Sequence, residues 1–76
     1  MVAESQNWET RETIRWLIND EYSWITLQNC GAATIRKFVV EHEEAPKGLY
    51  QQFTRPPASS FDHVDWNAVA LSLKTQ

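Results

Sequence analysis

The chain has 76 residues, a net charge of −3 and a single cysteine, Cys30. That length makes one domain near the lower limit for a single hydrophobic core, so a large internal active-site cavity would compete with the core itself. One cysteine excludes an intramolecular disulfide, and the mild acidic balance disfavours a protein whose affinity rests on neutralising phosphates.

No basic start followed by an apolar run resembles a cleavable signal, and no apolar stretch approaches the roughly 20 residues that span a bilayer. The expected setting is therefore cytoplasmic, with no membrane partner. Four tryptophans, three phenylalanines and two tyrosines supply large buried area per residue, which helps a short chain fold without disulfides or metal. The aromatics are core candidates first. The expected architecture is all-α: residues 1–76 as one helical domain of about four short helices around an aromatic-rich core.

Residues 1–6 carry no pattern and read as a frayed terminus. The first helix follows: Asn7 or Thr10 can cap its amide groups, Glu9 and Glu12 favour the positive end of its dipole, and Ile14, Leu17 and Ile18 recur at helical spacing. At "INDE" the pattern breaks. Asn19 tolerates the left-handed conformation that ends helices, and Asp20 is a strong cap for a new one. A second helix from about Asp20 to Asn29 would bury some of Tyr22, Trp24 and Ile25, with Asn29 or Gly31 closing it. One long helix from Thr10 to Gln28 is the second reading, and a strand over "YSWITL" the third, because that stretch is rich in aromatic and β-branched residues.

"GAATIRKFVVEHEEAP" predicts a clearer helix. Ile35, Phe38, Val39 and His42 fall on one face, Arg36, Lys37, Glu41 and Glu44 on the other, and Pro46 sets an end near Glu44. "KGLYQQF" allows one or two further turns that present Leu49, Tyr50 and Phe53 to the core. Pro56 and Pro57 then make residues 54–60 a loop. The last helix is announced by Asp65, or Asp62 before it, as cap, with Trp66, Val69, Ala70 and Leu73 at helical spacing.

Candidate chemistry is sparse. His42 and His63 lie near carboxylates, but zinc sites draw several Cys or His ligands at spacings that are not present here, so no metal is expected. Cys30 at a helix junction has no surrounding nucleophile signature, and a lone cysteine in a core behaves as a small hydrophobe. Asp20 with Glu21, and Asp62 with Asp65, are more simply helix caps than acid–base pairs. Neither Gly31 nor Gly48 belongs to a phosphate-binding loop, so no catalytic residue and no cofactor is assigned. "ATIRKFVVEHEE" comes nearest to a DNA-recognition helix, but its acidic end would repel a phosphate backbone.

Residues 7–21, "NWETRETIRWLINDE", resemble a family of small uncharacterised proteins carried by bacteriophages, plasmids and related mobile elements. Asn7, Trp8, Glu9, Thr10, Trp16, Asn19, Asp20 and Glu21 match its pattern in register. Its later aromatic pair looks like Tyr22 or Trp24, and a late "VDW" followed by an amphipathic helix looks like Val64, Asp65 and Trp66. The chain departs from the pattern at Arg11, where an aromatic is common, and at Tyr22, where glycine is. The resemblance implies a mobile-element origin and transfers no chemical role to any residue.

Together these readings lead to an expectation: a non-enzymatic protein that binds and modulates a host protein, as a host-takeover or anti-defence factor does, for example by inhibiting a host enzyme or a CRISPR effector. The candidate contacts are an aromatic anchor, Trp24, Tyr50 or Phe61, with Glu41, Glu43 and Glu44 around it. The alternatives are a homodimer that hides some aromatics and a nucleic-acid-associated accessory factor.

Overall fold

The computed structural model describes residues 7–53 and 61–75. The readings of residues 1–6 as frayed and of 54–60 as a loop lie outside that range. Within it the protein is all-α, with five helices where about four were expected. Helix α1 spans Trp8–Asn19, α2 Glu21–Leu27, α3 Ala32–Arg36, α4 Lys47–Gln52 and α5 Trp66–Lys74. The fifth is α4, six residues long, which matches the one or two turns the sequence allowed there. Helix α3 continues into a π-helical turn at Lys37–Glu41.

Each of the three best-defined helix starts is set by a local cap. The Asn7 side chain accepts from the Thr10 amide at 2.9 Å, opening α1. Asp20 sits in extended backbone at φ −103° and ψ 110°, and its carboxylate accepts from both the amide and the hydroxyl of Ser23. This residue alone makes the break, so the two-helix reading of residues 10–28 holds and the single helix and the strand do not. Asn19 takes no left-handed conformation, contrary to expectation, because the extended Asp20 already turns the chain. Asp65 opens α5 by accepting from the Ala68 amide.

Thr10 is not a cap. It is fully buried, and its hydroxyl oxygen accepts the backbone N–H of Asp65 at 2.8 Å. Beside it the Asn7 amide donates to the carbonyl of His63. The starts of α1 and α5 are thus fastened to each other across more than fifty residues of sequence.

The end of α3 departs from prediction. It stops at Glu41, not near Glu44, because the π turn brings the His42 amide to the Lys37 carbonyl at 2.8 Å, five residues back. Glu43 then turns left-handed at φ 52°, and the Glu44 amide closes on the Phe38 carbonyl at 3.1 Å. This is a Schellman-type ending widened by one residue. The extra residue rotates His42 off the apolar face, and it is exposed. Tyr50 holds the ending in place: its hydroxyl donates to the Val39 carbonyl and accepts from the Ala45 amide at 3.2 Å.

The core contains Leu17, Leu27, Ile35, Val39, Leu49, Val69 and Leu73, all essentially without solvent contact. Phe38, Phe53 and Phe61 join it, with Phe53 and Phe61 in edge contact at 5.0 Å. Trp16, Trp24, Tyr50 and Trp66 pack at its margin. Two aromatics expected inside are not there: Trp8 leaves nearly half its surface exposed while leaning on Phe53, and Tyr22 is 58% exposed. Among the described residues no helix is long and apolar enough to cross a membrane.

Candidate interaction face

Helix α2 has seven residues, and its cap fixes which side points inward. Because Asp20 grips Ser23, Ser23 and Leu27 form the buried stripe, and Tyr22, Ile25 and Thr26 turn outward. Tyr22 and Ile25, one turn apart, are 58% and 53% exposed. Sequence reading placed them among the candidates for burial. The Asp-x-x-Ser capping pair was the signal that could have set the register correctly.

The Tyr22 ring is held in place from two sides. It lies 6.0 Å from the ring of buried Phe38, and its hydroxyl donates to Glu44 Oε1 at 3.0 Å. The hydrogen bond and negative charge of Glu44 raise the tyrosine's pKa above its ordinary value. Beyond Glu44 an open depression of about 310 Å³ is lined by Glu43, Lys47, Tyr50 and Gln51. Burial, with Glu43 and Glu44 adding to it, likewise raises the pKa of Tyr50. Glu44 therefore acts electrostatically on both tyrosines.

The residues proposed as contacts separate into two groups. Glu41, Glu43 and Glu44 are exposed, as a contact requires, with Glu41 also 3.4 Å from the Arg36 guanidinium. The aromatic anchors fare differently. Phe61 is buried between Tyr50, Phe53 and Trp66, so it is a core residue and presents nothing to a partner. Tyr50 lines the depression with its flank, but its hydroxyl is committed to closing the α3 ending. Trp24 packs against the core, with Nε1 shut off from solvent and without an acceptor, a state that costs about 1–3 kcal/mol relative to a satisfied indole. Its ring faces inward.

The remaining candidates for chemistry are dispersed. The carboxylates of Asp20 and Asp65 accept backbone N–H groups at helix starts. His42, Asp62 and His63 are exposed, and Cys30 directs Sγ at the Thr26 carbonyl. Among the described residues no three His, Cys, Asp or Glu side chains converge as metal ligands.

The motif at residues 7–21 is taken up by the fold. Asn7 and Asp20 are caps and Thr10 ties α1 to α5. The Trp16 indole donates to Gln52 Oε1 at 3.0 Å. Glu12 accepts from Arg15 at 2.7 Å and from Gln52 at 2.8 Å, and these bonds lower its pKa. Glu12, Trp16 and Gln52 together link α1 to α4. Comparison with protein-family models, with characterised proteins and with solved structures returned no match.

Proposed function

We propose that this is a non-enzymatic binding protein that docks on and modulates a protein of its host cell through the outward face of α2. The observation that carries the reading is the pairing of Tyr22 and Ile25, two large side chains more than half exposed on one short helix. Large apolar groups held rigid at a surface and edged by polar residues are what protein interfaces use as anchors. Phe38 and Glu44 fix the Tyr22 ring before any partner arrives, which lowers the ordering cost of binding. The carboxylates best placed for acid–base work, those of Asp20 and Asp65, are occupied as caps, which fits a binding role better than a hydrolytic one. The likeness of residues 7–21 to mobile-element proteins makes a bacterial host protein the natural target, with host takeover or defence evasion as its context.

Affinity capture from bacterial lysate with the wild-type chain and with Ile25→Asp tests this. An exposed charge at position 25 leaves the core untouched, so the variant should keep its helical circular dichroism and lose the captured protein. Equal capture by both would move the interface elsewhere. Self-association is favoured as a second reading by Leu71 on α5, the most exposed large apolar residue among the described residues at 64%. Light scattering across a concentration series, with Leu71→Lys as control, decides that point.

A further inference from the structure

The docking face also indicates what its partner presents. We propose that the Tyr22–Glu44 pair is a receptor for an arginine side chain carried on an apolar segment of the partner protein. This rests on the docking reading and goes further by naming the chemistry that fits the face.

Glu44 receives the Tyr22 hydroxyl on Oε1, which orients its exposed carboxylate beside an exposed aromatic ring. A planar guanidinium can stack on such a ring while donating to such a carboxylate, whereas a compact ammonium can do only one of these well. The charges around the face favour the same occupant. Glu21 precedes Tyr22 in the chain, Glu43 lines the adjoining depression, and Lys47 is the single cation among the four residues lining it. The carboxylates of Glu43 and Glu44 against the one ammonium of Lys47 give the face a local negative potential complementary to arginine. Ile25, one turn along α2, offers the apolar contact for a neighbouring residue of the same segment.

The probe is the peptide acetyl-Leu-Arg-Leu-amide, titrated into the ¹⁵N-labelled protein and followed by amide chemical shifts. Saturable shifts should cluster on residues 21–25 and 43–51 and weaken with added salt. Glu44→Gln should weaken binding about threefold or more, the scale of an exposed ion pair, and Lys47→Gln should strengthen it. Tyr22→Leu, which removes the ring at an exposed position, should weaken binding while leaving the fold intact. Shifts located elsewhere, no saturation, or equal response to acetyl-Leu-Glu-Leu-amide would overturn the inference. If lysate capture proves sensitive to Ile25→Asp but the arginine peptide does not bind, the arginine inference falls and the docking reading stands.

Discussion

Replacing Gly48 with alanine sets two effects of opposite sign against each other. Gly48 lies in α4, and in an open helical position alanine is more favourable than glycine by about 1 kcal/mol. Here a Cβ would stand 2.3 Å from Cη2 of Trp16, with Cζ3 and Cζ2 at 2.8 and 2.9 Å. The nearest of these is about 1.2–1.7 Å inside ordinary van der Waals contact. The indole cannot simply retreat, because Nε1 donates to Gln52 and the Arg15 guanidinium lies 5.6 Å from the ring centroid. Overpacking costs about 1–3 kcal/mol, and a displaced indole forfeits a hydrogen bond of about 1 kcal/mol. The steric effect should win by about 1–3 kcal/mol, lowering Tm by roughly 4–24 °C for a domain of this size. Urea and thermal unfolding followed by tryptophan fluorescence measure this directly. In a Trp16→Leu background the same Gly48→Ala change should turn neutral or stabilising. Gly48→Ala more stable than wild type with Trp16 present would refute the packing argument.

Three further outcomes follow from the helix ends. Tyr50→Phe removes both hydrogen bonds that close the α3 ending, and should cost about 2 kcal/mol in urea unfolding. Because burial raises the pKa of Tyr50 in the folded state, its contribution is complete below the ordinary tyrosine value near 10 and is lost as pH rises through the higher folded value. Wild type should therefore lose stability in alkali more steeply than Tyr50→Phe, as an unfolding series from pH 8 to 11.5 would show. Glu43→Gly relieves a left-handed non-glycine residue at φ 52° and should raise stability by about 0.5–1 kcal/mol in the same assay. Asp20→Ala removes the acceptor of two Ser23 hydrogen bonds and should cost about 1–2 kcal/mol, whereas exposed Asn19→Ala should change stability by only a few tenths.

Legibility in the sequence tracked how local each determinant is. Asn7, Asp20 and Asp65 could be read as caps because a cap and its amide lie three residues apart. The end of α3 could not, because Pro46 signals only where a helix must have stopped. The earlier stop comes from a π turn held by Tyr50, whose hydroxyl reaches back eleven residues to Val39. The outward face of α2 was obscured for a related reason. A seven-residue helix with three aromatic or β-branched large residues has no clear apolar stripe, so Tyr22, Trp24 and Ile25 looked interchangeable. The grip of Asp20 on Ser23 sends Trp24 toward the core and the other two outward. Phe61 offered no local clue to its burial, since its partners Tyr50, Phe53 and Trp66 belong to other segments. The exposure of Glu41, Glu43 and Glu44 was legible because they fall where α3 gives way to the turn before α4.

The fastening of Asn7 and Thr10 to His63 and Asp65 bears on the order of events during folding. A helix normally acquires its cap from residues beside it, and α1 has one in Asn7. The Thr10 hydroxyl, sealed inside the protein, finds its donor only when the segment before α5 arrives. Long-range closures of this kind slow folding, because chain entropy is lost before the contact forms. Until residues 63–65 dock, the Thr10 hydroxyl lacks the Asp65 amide as donor, even where Glu12 and Trp16 already join α1 to α4. The final step of folding should therefore be a zipping of α5 along α1 from their shared starting end, and chains cut before residue 63 should stay loosely packed however well α1 to α4 form.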